Sequence, residues 1–199
     1  MRILFIPHCP TTASGWEDSL HYHLFRHFSK HHDIHWVSWK NIRSFQELRG
    51  LASIQTQTVE RGIEHRILLP RNLYGLFVTY PKPAHVAITQ WWFRRQLRKL
   101  YRAIAPDILV MCDSYYATGF PSFDSSRRTV FDHLDLAPKW VANRFIEEAT
   151  SVIAITNDVA QTVNPGRTCT IIPNGVDVAS YAELDKSAAK EELGLGGQP

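Results

Sequence analysis

The chain has 199 residues, of which 44% are hydrophobic and 21% charged, the composition of a globular domain that buries a substantial core and not of a disordered or fibrous chain. Its net charge of +3 is too mild to argue for a nucleic-acid partner, and none is expected. The three cysteines, Cys9, Cys112 and Cys169, form neither a disulfide framework nor a zinc-ligand spacing, and no segment has the ~20 apolar residues of a membrane span. A reducing cytoplasmic setting follows, with the protein soluble or peripheral at the inner face of a membrane.

In chain order, short apolar runs rich in β-branched residues alternate with segments of helical period. The first strand is residues 2–6, closed by Pro7. Ser14-Gly15-Trp16-Glu17 has the Ser-x-x-Glu spacing of a capping box, and Leu20, Leu24 and Phe28 continue a helical face behind it. Residues 34–39 and 65–69 are the second and third strands. Between them, 41–60 is poorly periodic and is read as a helix with a loose connection. The segment 82–105 is a helix with Val86, Phe93, Leu97, Leu100 and Ile104 on one side. Trp91, Arg95, Arg98 and Arg102 share the opposite side, with Trp92, Arg94 and Lys99 adjoining. Strands follow at 107–113, 128–132, 151–156 and 168–172, with helices from Pro138 towards Thr150 and over 157–163.

Seven strands joined in this way predict an α/β fold, a doubly wound Rossmann-like parallel sheet with helices on both faces, because right-handed crossovers leave few other topologies. Ligands of such sheets bind beyond the carboxyl ends of the strands, where the strand order reverses. The residues expected there are 7–15, 113–119, 132–135, 156–157 and 173–175.

The stretch Ile171-Ile172-Pro173-Asn174-Gly175-Val176-Asp177, followed by Tyr181 and an Ala/Lys/Glu-rich helix over 186–195, resembles the interdomain junction of family 4 (group 1) glycosyltransferases, which have the GT-B fold. The opening strand with Gly15, Ala105-Pro106-Asp107-Ile108, and Val152-Ile153-Ala154-Ile155-Thr156 resemble further signatures of that family. The resemblance implies that 1–177 is the acceptor-side N-terminal domain and that 178–199 leads to a C-terminal donor-binding domain, the expected partner, which this sequence does not contain. It implies transfer of a sugar from a nucleoside diphosphate sugar, with no cofactor, to a glycan or lipid-linked acceptor, in polysaccharide or glycolipid synthesis. The domain alone would be inactive. Where the family has paired glycines after the first strand, this sequence has Ser14-Gly15-Trp16, which leaves one close backbone approach to a phosphate.

Several residues carry both a chemical and a structural reading. Asp132, His133 and Asp135 place two carboxylates and an imidazole at the ligand edge, as acid–base work requires: in an inverting enzyme Asp132 or Asp135 is the base, and in a retaining one His133 positions the sugar. Alternatively the two aspartates cap the helix that begins near Pro138. Ser14, Gly15 and Trp16 would receive an anion at a helix N-terminus, or simply start that helix. Asp113, Ser114, Tyr115 and Tyr116 form a sugar-binding wall or a packing cluster, and Thr156 and Asn157 join the same edge. Asn174 and Gly175 make a turn that could serve as an interdomain hinge. The histidines at positions 8, 21, 23, 27, 31, 32 and 35 are not a metal set, since most lie along one helix without supporting carboxylates. Trp91, Trp92, Arg95, Arg98 and Arg102 fit an anionic membrane surface, or a solvated basic face whose tryptophans pack on the 41–60 segment.

Two further classes share the fold. A nicotinamide- or flavin-dependent oxidoreductase would need Gly-x-Gly-x-x-Gly after the first strand, and that motif is missing. A non-catalytic interaction module, or a partner subunit of a split transferase, needs no motif.

Overall fold

The computed structural model describes residues 1–7, 24, 27–41, 54–59, 62–69, 83–112, 128–133, 143, 146–161, 168–173, 190 and 191, with the backbone alone at 41, 83–88 and 133. In chain order its elements are β1 (Arg2–Ile6), β2 (Asp33–Asn41), β3 (Ile54–Val59), β4 (Gly62–Leu69), α1 (Pro83–Ile104), β5 (Ile108–Cys112), β6 (Arg128–His133), β7 (Ser151–Ala154), α2 (Asn157–Gln161) and β8 (Cys169–Ile171). The strands form one sheet in the order β3-β4-β2-β1-β5-β6-β7-β8. All pairs are parallel except β3 with β4.

The α/β class and the doubly wound sheet are as expected, and the sheet has one strand more than the seven counted. The additional strand is β3, inside the segment read as a helix. Its sequence Ile-Gln-Thr-Gln-Thr-Val has β-branched residues at alternate positions but few apolar ones, because it is an edge strand that buries little and is partly or fully exposed along its length. A hydrophobic-period reading is blind to such a strand. It is held by antiparallel pairing from Ile54–Ile67 to Val59–Gly62.

The central strands β1, after Arg2, and β5 are apolar on both faces because both faces of the sheet are covered there. In β1, Leu4 and Ile6 join one core with Val37, Trp39, Ile67 and Met111, while Ile3 and Phe5 join a second with Ile34, Trp36 and Cys112. The first core is closed by α1 through Phe93, Leu97, Leu100, Tyr101 and Ile104, and the second is touched by Phe28 at the end of a helical turn. Each such side chain contributes about 2 kcal/mol on burial. The expected apolar side of α1 is therefore the buried one where its side chains are described.

Helix α1 ends on Ala105, whose φ of +49° is in the left-handed region and whose N–H donates to the Tyr101 carbonyl at 2.9 Å. Pro106 then prevents continuation. At the same edge the Arg2 N–H donates to the Asp107 carboxylate at 2.7 Å, and the Asp107 N–H returns a bond to the Arg2 carbonyl at 2.9 Å. The Arg2 guanidinium donates to the Ile104 carbonyl at 2.6 Å and to Asp33 at 3.0 Å. One residue thus ties the amino ends of β1, β2 and β5 to the end of α1. The Ala-Pro-Asp-Ile sequence has here a structural cause: a stop for the helix and an acceptor for the first strand.

The β3–β4 hairpin depends on Gly62. Its φ is +133°, and a Cβ there would lie 2.3 Å from the Ile34 carbonyl oxygen of β2. Both strain and collision oppose any side chain. Gly62→Ala is expected to destabilise the protein by about 2 kcal/mol or more, seen as a lower urea midpoint at unchanged slope; a midpoint equal to the parent's would show that this register yields freely.

Candidate functional site at the carboxyl edge of the sheet

The strand order reverses at β1. The chain runs outward from β1 to β2 and β4, then returns through α1 to β5 on the other side of β1. The switch point is therefore the β1/β5 pair, where Ile6 is level with Met111. The carboxyl ends of β1 and β5 lie side by side there. Ser14, Gly15, Trp16, Asp113, Ser114, Tyr115, Tyr116, Asp135, Asn174 and Gly175 lie outside the described residues.

Asp132 is the described candidate nearest this point. It is the penultimate residue of β6, directly across from Cys112, the last residue of β5. Its side chain is 8% exposed, and the Cys112 thiol donates to its Oδ2 at 3.6 Å. A thiol is a weak donor, so this contact fixes the carboxylate only lightly. A carboxylate so placed can accept a hydrogen bond or a proton from a hydroxyl brought to the edge. His133 continues the strand one residue beyond its expected end and is level with Ala154 of β7.

Thr156 and Asn157 are arranged differently from a strand-end pair. β7 stops at Ala154, two residues earlier than expected. The Thr156 hydroxyl accepts the Val159 N–H at 3.1 Å and its carbonyl accepts the Ala160 N–H at 3.0 Å, which makes Thr156 the N-cap of α2. Asn157 is the exposed first residue of that helix.

The aromatic and basic residues of α1 divide between two environments. Trp92 is half-buried against the first core, and its indole N–H donates to the Leu68 carbonyl of β4 at 2.9 Å. Its indole is thus anchored on β4. Trp91 is 53% exposed, with the Arg95 guanidinium 5.5 Å from its ring centre. Arg95, Arg98, Lys99 and Arg102 are all exposed.

A buried polar network on the outer strands escaped the sequence reading. On the α1 face, His35 Nδ1 and His65 Nε2 are 2.9 Å apart, His65 Nδ1 is 3.1 Å from the Thr56 hydroxyl, and His35 Nε2 is 3.3 Å from Asp33. Both histidines are buried. Thr56 can donate to His65 and His65 to His35, which leaves His35 Nε2 facing Asp33 as an ion-pair contact without an aligned hydrogen bond. On the opposite face of β4, buried Glu64 accepts from Ser38, Gln57 and Arg66, the last at 3.2 Å to each oxygen. These groups join β2, β3 and β4, away from the switch point. The available signal was polar residues interrupting otherwise apolar strands.

Desolvation, then the neighbouring His35, push the His65 pKa from 6.5 down to about 4. Folded protein consequently binds fewer protons than unfolded chain between these values, so this group's contribution to stability is complete above pH 6.5 and falls as pH drops towards about 4. The Arg2 hydrogen bond holds the Asp33 carboxyl below its usual value, so its contribution is lost only at lower pH. His65→Gln is expected to flatten the dependence of unfolding free energy on pH between 6.5 and about 4; an unchanged slope would remove His65 as its source.

No family model matches the chain, and no curated protein matches its sequence. Solved structures do match in fold. Sucrose-phosphate synthase from Thermosynechococcus elongatus aligns with a TM-score of 0.63 at 11% identity, over 100% of this chain and 53% of that one. The N-terminal domain of trehalose-6-phosphate phosphatase from Candida albicans aligns with a TM-score of 0.58 at 14% identity, over 96% and 53%. A shorter piece of the same synthase aligns at 0.56 and 12% identity, over 97% of each chain. The mostly parallel eight-stranded sheet is Rossmann-like and matches in fold the N-terminal domains of GT-B structures such as this synthase. The chain spans about half the length of the first two structures it matches.

Proposed function

We propose that the chain is the acceptor-side half of a two-domain glycosyltransferase, resembling family 4, that moves a sugar from a nucleoside diphosphate sugar to a glycan or lipid-linked acceptor. The observation that carries this reading is the fold match to a sucrose-phosphate synthase over the whole chain, together with a buried carboxylate, Asp132, one strand from the switch point. Sugar transfer needs a stabilised oxocarbenium-like centre, a neutralised leaving diphosphate and an acceptor hydroxyl held in line. In this proposal a second, donor-binding domain meets the first two needs, and the carboxyl edge of this sheet meets the third. Asp132 accepts the hydrogen bond of the acceptor hydroxyl, and Asp135 and His133 stand next to it in sequence as further polar contacts. The segments beginning at residues 7 and 113, with Ser14, Gly15, Trp16, Asp113, Ser114, Tyr115 and Tyr116, line the crevice, and Asn174 and Gly175 form the hinge. The reaction takes place on the cytoplasmic side, where polysaccharide or glycolipid precursors are assembled. Among the described residues no helix is long and apolar enough to cross a membrane.

The fold alone does not fix an activity, so a non-catalytic module or a partner subunit of a split transferase is the alternative. Activity separates the two. The full gene product is to be assayed for hydrolysis and transfer with a panel of nucleoside diphosphate sugars. Turnover is expected, and Asp132→Asn should lower kcat by about a hundredfold or more if Asp132 takes the proton, or raise KM if it only places the acceptor. Absence of both binding and turnover for every sugar nucleotide would overturn the transferase reading. Turnover untouched by Asp132→Asn would remove Asp132 from the site.

A further inference from the structure

We infer that the outer stripe of α1 is a docking surface for an anionic membrane, with Trp91 as its interfacial anchor and Arg95, Arg98 and Arg102 as its headgroup contacts. The inference does not depend on any transfer activity. Helix α1 carries five basic residues and no acidic one, against a net charge of +3 for the whole chain, so the rest of the molecule is slightly negative. Positive charge is thus gathered on one element. Residues 91, 95, 98 and 102 are spaced by four, three and four, which puts them in one line along the helix, about 16 Å long at the α-helical rise.

The rotation of the helix is fixed by its other side. Phe93, Leu97, Leu100 and Ile104 are buried, and the Trp92 indole is bonded to the Leu68 carbonyl at 2.9 Å. The stripe therefore cannot roll inward to hide Trp91, which keeps 53% of its surface exposed. An exposed indole with a guanidinium over its ring, 5.5 Å from the centroid, matches the chemistry of a lipid interface. There the ring sits at headgroup depth, and the arginine keeps its charge among the phosphates. Charge complementarity selects an anionic surface over a neutral one. Nucleic acid fits less well, because tight binding draws on a wider set of phosphate contacts than one short line of arginines beside a net-negative remainder.

The test is co-sedimentation of the full chain with vesicles of phosphatidylcholine alone or mixed with phosphatidylglycerol, at low salt. Binding is expected only to the mixed vesicles, with weakening at high salt. The triple substitution Arg95→Gln, Arg98→Gln and Arg102→Gln should lower the partition coefficient by roughly a hundredfold, since each basic residue near such a surface is worth about a fivefold change. Trp91→Ala should abolish most of the blue shift in tryptophan fluorescence on vesicle addition, while thermal melts of both variants match the parent's because these side chains are exposed. Equal binding to neutral vesicles, no binding at low salt, or a triple variant that binds as the parent does would each overturn the inference. So would binding of a single-stranded oligonucleotide under conditions where anionic vesicles are ignored.

Discussion

The knot around Arg2 sets the frame on which the other features rest. The Arg2 N–H donates to the Asp107 carboxylate and the Asp107 N–H to the Arg2 carbonyl, while the Arg2 guanidinium reaches the Ile104 carbonyl and Asp33. The cation also meets the carbonyl end of α1, where the helix dipole favours positive charge. Its ion pair with Asp33 is half exposed and worth little alone. Its importance is geometric: it brings the amino ends of three strands and one helix to a common level. The switch point at the opposite edge then falls between β1 and β5, with Asp132 one strand away.

The sheet is held by two kinds of interaction that divide it in space. Around β1 the strands are apolar on both faces, and packing sets their positions without choosing a register finely. On the outer strands β2, β3 and β4, buried polar groups add that choice. A one-residue slip of β4 would move His65 away from Thr56 and His35, and Glu64 away from Ser38 and Gln57. Unpaired buried polar groups cost more than lost apolar contact, so the hairpin has one favourable alignment. Gly62 reinforces it by letting the hairpin backbone pass against Ile34.

Helix α1 links this frame to the outside. As the crossover from β4 to β5 it must bury one face, and its length carries the chain from one half of the sheet to the other. The same rigidity that closes the core holds Trp91 and the arginines at the surface. A candidate catalytic edge and a basic face are consequently presented by one packed sheet and helix.

Much of this was legible in the residues alone. Two-sided apolar runs such as Ile3 to Ile6, and helical spacing such as Phe93, Leu97, Leu100 and Ile104, are local consequences of burial, and they determined the class of fold and the inward side of α1. The place of Asp132 near the end of a strand was read from the same runs. Tertiary structure decided what depends on neighbours distant in sequence. The polar edge strand β3 exists because β4 pairs with it; Thr156 caps α2 because β7 ends early; Trp92 bonds to Leu68 while Trp91, one residue before it, faces out. His35 and His65 become a buried pair only when β2 and β4 are adjacent. Periodicity records whether a residue is covered, but the identity of the covering group belongs to the packed chain.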